Sequence, residues 1–183
     1  MITLGEYESD LRWLVLRMKT DRTGILAISA ANVLANCRRT DLENVRADTI
    51  VPVPMHRLRR ADRGNNSPDS IAEELGQRLK ISVARNLVCR IRPTDLQYTL
   101  SNRARAENVS GAFALRPPSL VEKLYHAAQS PDLTGKTVLL VDDILTTGAT
   151  CNEITRVLLA AGVRSVTVAI LARAVGNVEI TRK

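Results

Sequence analysis

Two adjacent aspartates, Asp142 and Asp143, stand two residues ahead of the run Thr146-Thr-Gly-Ala-Thr150, and these types at this spacing are suited to chemistry. Paired carboxylates accept hydrogen bonds from neighbouring hydroxyls such as those of a ribose, or help to hold Mg²⁺. A run of small residues entering a helix offers backbone N–H groups to a phosphate. Gly148 permits a positive φ or a close approach, and the threonine hydroxyls add donors. One short segment therefore has parts for both ends of a ribose 5-phosphate.

The elements around it place that segment. Thr137-Val-Leu-Leu-Val141 reads as a strand, Thr150 to Ala161 as a helix ended by Gly162, and Ser165 to Leu171 as the next strand. A strand–helix–strand unit implies parallel pairing, and ligands of such sheets bind beyond the carboxyl ends of the strands. Upstream, Leu11, Leu14, Val15 and Met18 give a helix over 8–18, and 24–38 gives a second. The apolar run 48–54 is a short strand that Pro52 and Pro54 keep from the centre of a sheet. Ser67 as cap and Pro68 at the first helical position open a helix striped by Ile71, Leu75 and Leu79. Leu87 to Ile91 is a further strand. Residues 92–111 are polar and lack a long apolar pattern, which marks a long loop, and loops of that length are usually functional or disordered. No repeat or boundary divides residues 1–183, so one α/β domain is expected.

Composition narrows the classes. At 183 residues with 45% hydrophobic and 25% charged residues, the chain suits a globular domain with a real core. Aromatics supply 3%, so that core is Leu, Val, Ile and Ala, the mix of parallel strands buried under helices. The net charge of +7 and pI near 9.8 fit a phosphorylated or polyanionic partner as well as plain solubility. Nucleic acid stays open as a partner, although Trp13, Phe113 and three tyrosines offer little for stacking bases. Cys37, Cys89 and Cys151 are scattered, and with His56 and His126 they make too few ligands for zinc. No apolar run is long enough to span a membrane, and Glu6, Glu8 and Asp10 are wrong for a signal peptide. A cytoplasmic protein with reduced cysteines is expected.

Two superficial likenesses fall away. Gly135-Lys-Thr137 ends like a P-loop, but Ser130 stands where the first glycine belongs and the trio precedes a strand, not a helix. A phosphorelay receiver also has an acid pair after a strand, but too little chain follows Asp143 to complete one. No dinucleotide fingerprint is present.

Val138 to Thr150, an apolar run, two acids, then Thr-Thr-Gly-x-Thr, resembles the signature of type I phosphoribosyltransferases that binds 5-phosphoribosyl 1-pyrophosphate (PRPP). Other stretches resemble the ComF-like, competence-associated branch: Tyr7-Glu8 with Leu11, Arg17-Met-Lys19, Val51-Pro-Val-Pro-Met-His-Arg57, Arg63-Gly-Asn-Asn66, and Gln97-x-x-Leu100 with Arg103, Arg105, Asn108 and Gly111-Ala-Phe113. The similarity runs from about Tyr7 to Arg173. It departs from the branch at Asn65, where an aromatic is usual. The chain also begins after the place of the zinc ribbon that opens many ComF-like proteins, so no zinc is expected.

The resemblance implies a mainly parallel twisted sheet flanked by helices, with a small hood drawn from the N-terminal helices and part of 55–110. It implies that Asp142 and Asp143 contact the ribose and hold Mg²⁺, directly or through PRPP. Thr146, Thr147, Gly148, Ala149 and Thr150 would take the 5-phosphate. Pro52, Val53 and Pro54 with Arg57 would face the pyrophosphate, in a loop where Arg59, Arg60 and Arg63 also crowd. Thr94, Gln97, Arg103 and Arg105 would belong to a flexible loop over PRPP, with Arg103 joining the acid pair in catalysis. The reaction implied is displacement of pyrophosphate by an unidentified acceptor, commonly a nitrogen base or ammonia. A second reading keeps the fold without the turnover: a PRPP- or nucleotide-binding accessory or regulatory factor in DNA uptake. A homodimer is left open.

Overall fold

The computed structural model describes residues 1–55, 66–92, 107–117 and 132–174. Among them, four strands form one parallel sheet in the order β1-β6-β5-β2: β1 (Ile2–Glu6), β2 (Thr49–Pro52), β5 (Thr137–Leu145) and β6 (Ser165–Arg173). Between β2 and β5 come β3 (Val88–Arg90) and β4 (Phe113–Leu115), an antiparallel pair outside that sheet. The helices are α1 (Ser9–Met18), α2 (Ile25–Cys37), α3 (Arg39–Asn44), α4 (Ser67–Leu79) and α5 (Ala149–Ala160).

The apolar run of β5 explains the layering. Successive strand side chains point to opposite faces, and Val138 to Val141 are all fully buried, so both faces must be covered. On one face Leu139 and Val141 meet Ala169 and Leu171 of β6, Met18 of α1, Ala27, Ala30, Ala31 and Leu34 of α2, and Ile71 and Leu75 of α4. On the other, Val138 and Leu140 meet Ile154 and Leu158 of α5, with Val88 and Phe113 of the β3–β4 pair. The alanines of α2 recur at helical spacing and let it approach α4 closely. Gly76 of α4 does similar work: a Cβ there would stand 2.6 Å from Val83 Cγ2 and 2.9 Å from the Ile81 carbonyl oxygen. That closeness brings residues 82–84 to β2, where Ile50 N–H donates to Ser82 O and Ala84 N–H to Ile50 O.

The α/β expectation holds, with differences of detail. The strand β1 and the short helix α3 carry too weak a pattern to be predicted, since Gly5 interrupts five residues and α3 has only six. Helix α4 begins one residue early, with Asn66 as its cap and Ser67 already helical. β3 pairs with β4 and so lies outside the main sheet. β5 runs on to Leu145, which puts both aspartates in the strand itself. The helices α1 and α2, expected in a hood, pack on the sheet through Met18 and the α2 alanines. No helix among the described residues is long and apolar enough to cross a membrane.

Candidate functional site

Three pieces meet at the carboxyl ends of β2 and β5. The first is the acid pair. Asp142 and Asp143 are half-buried at the end of the central strand, where Asp142 stands opposite Ile170 of β6. Asp142 is held by its neighbours: the Asp143 N–H donates to Oδ1 at 2.9 Å, and the Cys151 thiol reaches Oδ2 at 3.9 Å. Burial pushes the Asp142 carboxyl well above the usual carboxylate range, and the charge of Asp143 pushes it further. Asp143 is also raised by burial, against the pull of the Lys19 ammonium at the end of α1. Cys151 is pushed well up by burial first and then by Asp142, so it stays a thiol and serves as a weak donor. A carboxylate pair raised in this way gains from any positive charge brought to it.

The second piece is the turn into α5. Gly148 caps the helix at φ 76°, in the left-handed region, and nothing nearer than 3.8 Å faces the place of a Cβ. The positive φ is therefore the reason for glycine here. Asn152 N–H makes the first helical bond, to Gly148 O. The N–H groups of Ala149, Thr150 and Cys151 come before it and have no partner within the helix by geometry, and that of Ala149 finds Thr147 Oγ1 at 3.4 Å. Thr146 to Thr150 are all half-buried. A helix start of this kind, facing two protonatable acids across one turn, suits an anion carrying hydroxyls.

The third piece is the end of β2. Val53 N–H donates to Val141 O at 2.8 Å, so Pro52, Val53 and Pro54 run beside the residue that precedes Asp142. Proline at 52 is tolerated because the parallel register carries past it to Val53. The Asn66 amide, 4% exposed, donates to Val53 O at 3.4 Å and links this turn to α4.

Of the expected site residues, the structure brings together Pro52, Val53, Pro54, Asp142, Asp143 and Thr146 to Thr150. Arg57, Arg59, Arg60, Arg63, Thr94, Gln97, Arg103 and Arg105 lie outside the described residues. Sequence reasoning gave no role to Lys19 or Asn66, although both fall in stretches already matched, and none to Glu153. A lone lysine or asparagine has no pattern of its own, and only the fold carries Lys19 to the acid pair.

The donors fit Mg²⁺ better than a metal held by protein alone. Among the described residues no three of His, Cys, Asp and Glu cluster, whereas Mg²⁺ is commonly bound by one or two carboxylates together with substrate phosphates and water.

Residues 70–179 match the phosphoribosyl transferase domain family. Competence protein F of Haemophilus influenzae is 33% identical over 95% of this chain and 72% of its own length. The DNA utilization protein YhgH of Escherichia coli K12 is 30% identical over 94% of this chain and 71% of its own. Among solved structures, a hypoxanthine phosphoribosyltransferase from Staphylococcus aureus aligns with 84% of this chain and 68% of that one, at 15% identity and a TM-score of 0.48; that likeness is too distant to bear on the site. A parallel sheet covered on both faces, an acid pair at the end of its central strand and an identity of about a third over nearly the whole chain agree: the chain belongs to the phosphoribosyltransferase family, with the type I fold, on its ComF-like branch.

Proposed function

We propose that the protein binds PRPP with Mg²⁺ and transfers its phosphoribosyl group to a nitrogen nucleophile, releasing pyrophosphate. The observation that carries this is the run from Asp142 to Thr150, in which the acid pair, the end of its strand and the helix N-terminus follow one another along one short stretch of chain.

Asp142 and Asp143 accept hydrogen bonds from the ribose hydroxyls and orient the ring. The turn Thr146 to Thr150 holds the 5-phosphate on backbone N–H groups and hydroxyls. Pro52 to Pro54 flank the other end of the ligand, where the pyrophosphate leaves. When bound, Mg²⁺ neutralises charge on the pyrophosphate and favours ionised carboxylates at the acid pair. A bond forms from the nucleophile to C1, the C1–O bond breaks, and its electron pair departs with pyrophosphate. The proton lost by the nucleophile goes to solvent. No residue of the chain forms a covalent intermediate, so positioning and electrostatics carry the rate.

Titration calorimetry with PRPP tests the reading. Saturable heat with Mg²⁺, weakened at least about tenfold in Asp142→Asn, is expected, because the amide cannot replace a charged acceptor. No binding, or heat unchanged by the substitution, would sink it. Pyrophosphate release across ammonia and a panel of bases then identifies the acceptor.

The names of the relatives, a competence protein and DNA utilization proteins, favour a second reading in which the same site binds PRPP or a nucleotide without consuming it and serves DNA uptake. Tight Mg²⁺-dependent binding with no pyrophosphate release from any acceptor would support it.

A further inference from the structure

Lys19 ends α1 on the buried side of that helix. Val15, one turn back on the same stripe, is fully buried, and Met18 belongs to the core that holds Leu139 and Val141 of β5. Lys19 itself is half-buried. A cation that merely balanced the negative end of the helix dipole could sit in solvent. Arg17 does so, exposed, with its guanidinium 5.7 Å from the centre of the Trp13 ring. Among the described residues the Lys19 ammonium makes no hydrogen bond and no ion pair, so its donors are unused.

The alternation of β5 decides what this ammonium faces. Leu139, Val141 and Asp143 point to the side of the sheet covered by α1, α2 and α4, whereas Asp142 points to the other, toward Cys151 of α5. Asp143 is therefore the next side chain beyond Val141 on the face where α1 ends. The pull of the Lys19 ammonium on both aspartates agrees with this placement. Helix α1 reaches the acid pair from one side, because it packs on β6 and α2, while α4 packs on β5 and β2. A second cation stands at the same edge. Arg173, at the end of β6, shares the face of Ala169 and Leu171 and is half-buried. Its side chain has no hydrogen bond or ion pair among the described residues, and its cross-strand neighbour Glu6 is exposed.

Pyrophosphate leaves beside Pro52 to Pro54, at the end of β2, and a nucleophile that displaces it at C1 must enter from the opposite direction. In the order β1-β6-β5-β2 that direction is the end of β6, the side of Lys19 and Arg173. Half-buried cations with unused donors suit a carboxylate or a phosphate. We propose that Lys19 is a specificity-determining residue and that the acceptor is a nitrogen nucleophile bearing its own anionic group, which the Lys19 ammonium takes. The proposal rests on the PRPP reading above and deepens it by giving the acceptor a charge. Ammonia and neutral bases are then poor acceptors.

Product-side probes test this without knowledge of the acceptor, because a nucleoside 5′-monophosphate spans the phosphate turn, the acid pair and the place of the acceptor. Calorimetry compares orotidine 5′-monophosphate with uridine 5′-monophosphate, and nicotinate mononucleotide with nicotinamide mononucleotide, each pair setting a carboxylate against a neutral group. Wild type should bind the carboxylate member of at least one pair roughly tenfold more tightly, the scale of a charged hydrogen bond. In Lys19→Met that ratio should fall to about one, and in Lys19→Arg, which keeps the charge, it should persist. The ratio is the readout because Lys19 also faces the acid pair. A disturbance there, or a looser fold, moves both members of a pair alike and leaves their ratio as it was. If the methionine variant does not fold, Lys19→Gln carries the same comparison. A wild-type ratio of one or less for both pairs overturns the proposal, as does a ratio that Lys19→Met leaves unchanged. Wild type that binds PRPP but none of the nucleotides removes this proposal alone. Wild type that binds neither PRPP nor any nucleotide removes the PRPP reading with it.

Discussion

The Val53 N–H donates to the carbonyl of Val141 at 2.8 Å, and this one bond fixes the turn after β2 beside the residue that introduces the acid pair. Val53 lies between two prolines that cannot donate at all, so the bond has no substitute nearby. Val53→Pro would leave the buried Val141 carbonyl without this donor. A loss of about 1–3 kcal/mol is expected in urea unfolding, with weaker Mg²⁺-dependent PRPP binding at temperatures where the variant is folded.

Asp142 is a costly residue for the fold. Its carboxyl pKa is raised by burial and by Asp143, so the folded protein binds that proton more tightly than the unfolded chain does. The penalty is absent below the unfolded value, grows as the pH rises toward the folded one, and is complete above it. Asp142→Asn removes a desolvated charge and should raise the melting temperature at neutral pH by roughly 2–4 °C while weakening the ligand. Melting curves across pH should show the advantage of the variant shrinking on the acid side; a variant less stable than wild type at neutral pH contradicts this.

Glu153 has the opposite sign. Its folded pKa lies below the ordinary glutamate value, owing first to Arg156 and then to the Gly111 N–H. The stability it contributes is present above the unfolded pKa and is lost as the pH falls through the lower folded value. Urea midpoints for wild type and Glu153→Gln should differ at pH 7 and converge once the pH is below that folded value. Parallel midpoint curves down to that pH would contradict the ion pairing.

At Gly148 the conformation matters, and space does not. Alanine there meets nothing closer than 3.8 Å but must adopt φ 76°. Gly148→Ala should cost about 1 kcal/mol and weaken inorganic phosphate and PRPP alike, because it disturbs the turn itself. Gly148→Asn, a residue that tolerates the left-handed region, should cost less. Equal losses for the two variants would point to crowding by a side chain and away from backbone strain.

Much of the site could be read from the chain because its residues are contiguous. Asp142 to Thr150 needs only a strand before it and a helix after it, and Thr137 to Val141 and the pattern of α5 supply both. The pieces that could not be read are those joined across the fold. Lys19 and Asp143 are brought together by a helix packed on the sheet, and Glu153 and Gly111 by a helix packed on a hairpin. Periodicity reports which face of an element is buried, and says nothing of which distant residue lies opposite. The edge strand β1 was invisible for a related reason: five residues with a glycine among them owe their extended shape to β6, not to their own preferences.

The strand order has a consequence for how the protein is made. Ile2 lies opposite Ala169, and the strands at the centre of the sheet, β5 and β6, are the last of the described strands to leave the ribosome. β1 and β2 therefore wait, their sheet-facing sides exposed, until the C-terminal third of the chain arrives to fill the gap between them. Such pairing over long sequence separation folds slowly and leaves a nascent chain open to aggregation. The acid pair and the phosphate turn belong to that last third, so the ligand site comes into being only as the sheet is completed.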